Sequence, residues 1–214
     1  SYDVSPDGLT ITFKLRKGVK FHSGVNGFVP TRDLNADDVI WSFGCMWKAD
    51  HPYAKVSGGA YDYFNDMSMP DLLASIEKGG DDLTVVMKLN KPNAPIIANL
   101  AMDFATIHSA EYADFLMKKG TPEQFDQIPV GTGAFSFVTY QKDAVIRFKA
   151  NADYFAGKPK IDDLIFAITP DATARWAKMQ ANECQIMPYP NPADLEAIGK
   201  DPNINLISQA GLNI

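Results

Sequence analysis

The sequence has few of the residues that build metal centres and disulfide frameworks. It contains two cysteines, Cys45 and Cys184, and three histidines among 214 residues. The histidines lie in separate segments, without a pair at helical spacing, so they form no metal-binding motif. The cysteines lie outside any C-x-x-C motif and leave three arrangements open: a bond between them, free thiols, or a bond to a residue outside this chain. We predict no metal and no cofactor.

Long apolar runs and blocks of positive charge are also missing. A membrane-spanning helix needs roughly 18 or more apolar residues, and the longest candidate, residues 94–105, is interrupted by Asn99 and Asp103. The formal net charge is −6 and no basic stripe is present, which argues against nucleic acid as a partner. With 46% hydrophobic and 21% charged residues, the chain has a globular composition and can bury a core without staples.

The sequence also lacks motifs for catalysis. It contains no G-x-S-x-G elbow, which one large class of hydrolases needs. Residues 131–133 resemble the start of a phosphate-binding loop, but residues 134–140 continue as a predicted strand, whereas such a loop must lead into a helix. The acidic pairs Asp37-Asp38 and Asp81-Asp82 are explained by a helix start and a turn. We therefore predict a binding protein and not an enzyme.

Alternating and helical patterns of apolar residues predict a mixed α/β chain. Strands are predicted at residues 9–16, 19–21, 83–89, 134–140, 144–150, 163–168, 185–187 and 204–207. Helices are predicted at residues 35–48, 71–78, 96–102, 110–119, 170–182 and 192–200, and residues 50–70 are predicted to be irregular. A composition shift at residues 128–133 suggests two α/β units joined near residue 129. Residues 211–214 follow no capping helix, and we expect the chain to continue beyond them.

Two aromatic segments are candidates for ligand contact. Around a glycine-rich stretch lie four aromatic residues: Tyr53, Tyr61, Tyr63 and Phe64. Loop aromatics on a rigid scaffold suit ligand contact, and tyrosine offers a flat apolar face with one hydroxyl group. The alternative is that these side chains pack the loop onto its own lobe. Residues 187–190 raise the same question, because their prolines cannot donate to a strand ladder and the segment could present Tyr189 to a cleft.

Several segments resemble a known family. Residues 5–22, followed by residues 34–39, are similar to the signature of the family 5 extracellular solute-binding proteins, the peptide and nickel receptors of ABC importers. They combine a strand pattern, a basic turn and a helix start at the family spacing. Residues 129–135 resemble the crossover of the family, with Ala134 in place of the usual proline. The stretches that resemble the dipeptide-binding branch are residues 52–53, 57–61, 101–105, 168–172 and 182–194, and His51 replaces the usual asparagine of that branch.

The resemblance implies an α/β fold built of mixed-sheet lobes, like that of the type II periplasmic binding proteins. The fold would be incomplete here, because the second lobe is missing. Residues 1–128 would form the accessory α/β domain of the first lobe, and residues 129–214 the central part of the main first-lobe domain. In dipeptide receptors the groups that hold both ends of the peptide lie in the second lobe, so the resemblance assigns them to no residue here.

The resemblance also implies a function. It suggests the monomeric, periplasmic substrate-binding component of a dipeptide ABC importer, which closes on a short peptide and docks on membrane permease subunits. A receptor for haem, glutathione or a metal chelate is the alternative within the family. Cys184 matches a cysteine that in this branch bonds one before Ser1, which would leave Cys45 as a free core thiol. The ligand-binding residues that the resemblance implies are Tyr53, Tyr61, Met187, Tyr189 and Pro190.

Overall fold

The computed structural model describes residues 1–209, apart from the side chain of Ser57. The expectation about residues 211–214 lies outside this range. Two compact units are present: unit 1 comprises Ser1–Thr139 and Arg147–Leu164, and unit 2 comprises Tyr140–Ile146 and the chain from Ile165 onward. The assignment of residues 1–128 and 129–214 to two domains stays a prediction. No helix within residues 1–209 is long and apolar enough to cross a membrane.

The first sheet is antiparallel and lies in unit 1. Its strands are β1 (Tyr2–Val4), β2 (Thr10–Lys14), β3 (Leu73–Lys78) and β4 (Thr84–Leu89), in the order β1-β2-β4-β3. The predicted strands at residues 9–16 and 83–89 are confirmed, and β1 was not predicted. Ile11 and Met87 are direct partners across β2 and β4. Both are buried on the face of the sheet that packs in the main core.

The predicted helix over residues 71–78 is wrong, because only Met69–Leu72 is helical and the chain then continues as β3. The register explains the error. Leu73 pairs with Leu89 and Ile76 pairs with Met87, with an irregularity between Leu73 and Ser75. A bulge of this kind places one extra residue on one strand, so two core residues lie three apart in the sequence. That spacing imitates one turn of a helix.

Eight α-helices are found within residues 1–209. They are α1 (Ala36–Trp47), α2 (Asp62–Asp66), α3 (Met69–Leu72), α4 (Ile96–Asn99), α5 (Ala110–Lys119), α6 (Gln124–Gln127), α7 (Ala172–Gln180) and α8 (Leu195–Lys200). The predicted helices that form α1 and α5 are confirmed. Both begin at a capping side chain: Asn35 accepts a hydrogen bond from the N–H of Asp37, and Ser109 accepts one from Tyr112. Such caps satisfy amide groups that have no partner inside the helix.

The second sheet consists of β5 (Phe135–Gln141), β6 (Val145–Ala150) and β7 (Asp163–Ala167), in that order. The three predicted strands are confirmed. The predicted strands at residues 19–21, 185–187 and 204–207 are wrong, since these segments carry no strand. A strand exists only where a neighbour accepts and donates its backbone hydrogen bonds, and no partner pairs with these segments among residues 1–209.

The other helical predictions are confirmed with shorter bounds. The predicted helix at residues 96–102 ends at Asn99, and Asp103–Ala105 forms a separate 3₁₀ turn. The helix predicted at residues 170–182 is α7, and Pro192–Asp194 forms a 3₁₀ turn that leads into α8. The segment predicted to be irregular contains the short helices α2 and α3 and the 3₁₀ turn Val56–Gly58.

Candidate functional site

A cavity of about 410 Å³ opens in unit 1. Its walls come from α1, the loop over residues 53–64, the turn Asp103–Ala105 and α6. A volume of this size lies within the range of small-ligand sites, roughly 300–1,000 Å³. The aromatic side chains that line it include Trp41, Tyr53, Tyr61, Tyr63, Phe104 and Phe125.

Tyr53 lines the cavity, and a hydrogen bond from its hydroxyl group to α5 fixes its position. Only 4% of this residue is exposed, and its hydroxyl group donates to the carbonyl oxygen of Ala113 at 2.8 Å. Its ring lies 5.3 Å from the Trp41 ring and 5.2 Å from the Phe125 ring, measured between centroids. Burial raises the pKa of Tyr53 to about 12. The hydroxyl group is therefore protonated and occupied, which leaves only the ring for ligand contact.

Tyr61 closes the same loop onto α1. Its hydroxyl oxygen lies 3.2 Å from Cys45 Sγ, and it also donates at 3.4 Å to the carbonyl oxygens of Tyr53 and Ala54. Burial raises the pKa of Tyr61, and burial also raises the pKa of the Cys45 thiol. The structure thus brings Tyr53 and Tyr61 together, and both use their hydroxyl groups inside unit 1.

The other two aromatic residues of the loop differ. Phe64 is fully buried and packs in the main core, 6.1 Å from the Phe104 ring between centroids. Tyr63 is 58% exposed at the rim. Phe64 and the Tyr53 hydroxyl group pack the loop on its own lobe, and the ligand contact of Tyr53 and Tyr61 stays a prediction.

His108 and Phe125 line the cavity and were missed from the sequence. The His108 ring lies 5.1 Å from the Phe125 ring, and the amide of His108 donates to Ser42 Oγ at 2.9 Å. Burial lowers the pKa of His108, so the ring is neutral near pH 7. No local pattern marks these two residues.

Met187, Tyr189 and Pro190 lie together in one irregular segment of unit 2. Tyr189 is 87% exposed and adopts a positive φ of 52°, an uncommon conformation for a residue with a side chain. Met187 and Pro190 are half-buried. No strand includes this segment, and its prolines cannot donate to a strand ladder.

Arg175 on α7 holds this segment of unit 2 by its backbone. Its guanidinium donates to the carbonyl oxygens of Thr169 at 2.9 Å, Pro170 at 2.6 Å and Tyr189 at 2.9 Å. Arg175 was not singled out from the sequence, because backbone carbonyl partners leave no pattern in the side chains. The ligand role of Met187, Tyr189 and Pro190 stays a prediction.

Residues 1–209 contain no cluster of side chains that is suited to binding a metal ion. No group of three or more histidine, cysteine, aspartate or glutamate side chains is placed to hold a metal ion in this part of the chain. Cys45 and Cys184 form no disulfide bond with each other in this structure, and the bond from Cys184 to a cysteine before Ser1 stays a prediction.

Comparisons with known proteins extend over the whole chain. The family model described as bacterial extracellular solute-binding proteins, family 5 Middle, matches residues 1–214. The dipeptide-binding protein of Escherichia coli K12 is 55% identical over 213 residues, which cover 100% of this chain and 39% of that protein. The heme-binding protein A of Haemophilus influenzae is 50% identical over 214 residues, with coverage of 100% and 39%. The chain therefore spans about two fifths of the length of these curated relatives.

Solved structures give the same picture. HbpA2 from Haemophilus parasuis superimposes with a TM-score of 0.93 and 51% identity, covering 99% of this chain and 41% of that one. The dipeptide-binding protein from Pseudoalteromonas sp. SM9913, in complex with Met-Leu, superimposes with a TM-score of 0.89 and 37% identity, covering 94% and 39%. The fold predicted from the resemblance is confirmed as part of a larger binding protein.

Proposed function

Since the chain belongs to family 5 of the bacterial extracellular solute-binding proteins, we propose that it is part of a periplasmic receptor that captures a short peptide and delivers it to an ABC permease. Proteins of this family bind solutes for transport and are not enzymes. The observation that supports a peptide as the ligand is the 55% identity to a dipeptide-binding protein across the chain. The complex of a relative with Met-Leu supports the same ligand class.

The mechanism is binding without chemistry. Two lobes close on the peptide by a hinge motion, and the ligand shifts the equilibrium towards the closed form. The residues of this chain that the proposal assigns to ligand contact are Tyr53, Tyr61, Met187, Tyr189 and Pro190. The receptor acts as a monomer.

The geometry of Tyr189 supports ligand contact best. A strained backbone at a non-glycine residue costs on the order of 1–3 kcal/mol and persists where the surroundings impose it. At Tyr189, which has a positive φ, the carbonyl oxygen accepts a hydrogen bond from Arg175 that holds the backbone at this point. Within this chain the aromatic ring of Tyr189 is 87% exposed, on a backbone that Arg175 holds in place. A fixed aromatic ring binds at a low entropy cost.

A receptor for haem, glutathione or a metal chelate is the second candidate. It is favoured by the identity of 50% to heme-binding protein A, nearly as high as the 55% identity to the dipeptide-binding protein. The fold is common to both ligand classes, so only a binding measurement separates them.

The test uses the full-length receptor that contains this chain. Calorimetry with Ala-Phe is expected to show binding, and a haem titration is expected to leave the Soret band as in buffer. We expect Tyr189→Ala to weaken dipeptide affinity about tenfold, the range in which aromatic contacts fall. Ile186→Ala is the matched control, since Ile186 is 86% exposed in the same segment.

A Soret shift without dipeptide binding would reject the peptide ligand and support the haem receptor. Equal dipeptide affinities for Tyr189→Ala and Ile186→Ala would remove Tyr189 from the site while leaving the peptide ligand in place.

A further inference from the structure

The charged side chains that line the cavity of unit 1 all have the same sign. Asp62 begins α2, Asp103 begins its 3₁₀ turn and Asp126 lies in α6. No lysine or arginine of the described chain lines the cavity. Among residues 1–209 these three carboxylates also form no ion pair and accept no side-chain hydrogen bond. Within the described residues, no cationic side chain therefore pairs with these three exposed carboxylates.

The negative charge of Asp126 affects the pKa values of residues that line the cavity. Burial lowers the pKa of His108, and the Asp126 carboxylate partly opposes this shift by stabilising the charged ring. Burial raises the pKa of Tyr61, and Asp126 adds to that effect. Asp126 also raises the pKa of the Cys45 thiol on α1, so it acts on three groups that line the same cavity. Because His108 is neutral near pH 7, no cation of the wall cancels this field.

Aromatic rings form much of the rest of the wall. Trp41 lies 5.4 Å from Phe125 between ring centroids, and Tyr61 and Phe104 line the cavity beside them. The face of an aromatic ring carries partial negative charge and attracts a cation. Rings and carboxylates together suit one kind of group, a positively charged head with an apolar body.

We propose that this cavity binds the cationic end of an organic ammonium or guanidinium ligand and packs its apolar body against the rings. Where that group belongs to a transported peptide, this rests on the proposed function and makes the cavity the part of the receptor that favours basic peptides. The volume of about 410 Å³ accommodates a group the size of phenylethylammonium.

The first experiment compares three probes of one shape on the chain of residues 1–214, by calorimetry at low salt. They are 2-phenylethylammonium, 2-phenylethanol and 3-phenylpropionate. The ammonium ion is expected to bind at least about fivefold more tightly than the alcohol, and the carboxylate most weakly, because charge attraction adds to the same ring contact. Raising the ionic strength should reduce the advantage of the cation.

The second experiment removes the charge. Asp62→Asn combined with Asp126→Asn is expected to weaken ammonium binding about fivefold or more and to leave the binding of the alcohol unchanged. Asp66→Asn is the matched control, since Asp66 is exposed on the same helix α2 but does not line the cavity. Circular dichroism verifies that the variants are folded.

Equal affinities for the three probes, an absence of ammonium binding, or an equal loss in Asp66→Asn would each overturn the inference. Dipeptide binding by the full-length receptor is measured separately. Its failure, together with a cation preference of the cavity, would reject the proposed function alone. Dipeptide binding without any cation preference would reject this inference alone.

Discussion

Asp38 is a fully buried carboxylate that joins three parts of unit 1. It accepts hydrogen bonds from both terminal nitrogens of Arg32, at 2.6 and 3.0 Å, and from the backbone amides of Asn35 and Ala110 at 3.0 Å each. One side chain thus completes the capping box of α1 and binds the first residue of α5. The sequence predicted Asp38 only as part of a helix start.

We expect Asp38→Ala to lower the free energy of unfolding by about 3 kcal/mol or more, the range found when a buried ion pair loses one partner. The reason is that Arg32 and two amides lose their acceptor. Urea unfolding of the 1–214 chain measures it. Asp37→Ala removes an exposed ion pair with Lys78 and should cost about 1 kcal/mol or less. Equal losses in the two variants would contradict the role of Asp38.

His22 joins the early loop of unit 1 to residues 131–133. Its Nδ1 accepts from the amide of Gly131 at 3.3 Å, and its Nε2 lies 2.9 Å from the carbonyl oxygen of Gly133, to which it donates. Both ring nitrogens are used in the neutral form. Protonation would place a second N–H against the Gly131 amide. Burial lowers the pKa of His22, and the hydrogen bond to Gly133 opposes this only in part.

This lowered pKa makes unfolding depend on pH in a defined direction. The unfolded chain takes up the proton near pH 6.5, whereas the folded chain takes it up only at lower pH. The contribution of His22 is therefore complete above about pH 6.5 and is lost as the pH falls towards the lowered pKa. We expect His22→Gln to reduce the slope of unfolding free energy against pH between about 6.5 and 5.

His51 and His108 also have pKa values lowered by burial, so they contribute to the slope in both proteins and cancel in the comparison. Lys17→Gln, at an exposed position near His22, should leave the slope unchanged. An unaltered slope in His22→Gln would show that this histidine does not titrate on unfolding.

At the scale of elements, the loop over residues 53–64 depends on one glycine. Gly59 adopts φ +66°, and a Cβ atom there would lie 2.3 Å from the carbonyl oxygen of Ala54. The loop can fold back on itself only because that atom is missing. Gly58 also has a positive φ, of +100°, but a Cβ atom there would meet nothing within 4 Å.

Substitutions at the two glycines separate the energetic cost of the positive φ from the cost of a steric clash with the Ala54 carbonyl oxygen. Gly58→Ala should cost about 1–2 kcal/mol, from the backbone conformation alone. Gly59→Ala should cost clearly more, because the collision with the Ala54 carbonyl adds to a similar strain. Urea unfolding of both variants measures the difference. Equal costs would mean that the loop shifts freely to accept the added methyl group.

At the scale of the whole molecule, the chain matches about two fifths of proteins that bind peptides or haem. Under the proposed function, the groups that hold the two ends of a peptide lie in the second lobe, outside this chain. We expect the 1–214 chain alone to bind dipeptides weakly or not at all, whereas the full-length receptor binds them. Calorimetry of both proteins tests this, and micromolar affinity of the 1–214 chain for a dipeptide would contradict it.

The sequence by itself determined those features that are encoded between near neighbours. Alternation marked β2, and the cap at Asn35 and the apolar spacing marked α1, since both depend on residues a few positions apart. The family was recognised for the same reason, because its signature consists of short runs of consecutive residues.

Only the tertiary structure decided features whose partners lie far apart along the chain. Leu73 and Ile76 have helical spacing in the sequence, but both pair with β4, because a bulge between them places one extra residue in β3. The carbonyl oxygen of Ala113, 60 positions away, fixed the Tyr53 hydroxyl group inside unit 1. The bulge in β3 and the hydrogen bond of Tyr53 both depend on backbone groups. Because the backbone is nearly the same for every residue type, no pattern of side chains predicts either feature.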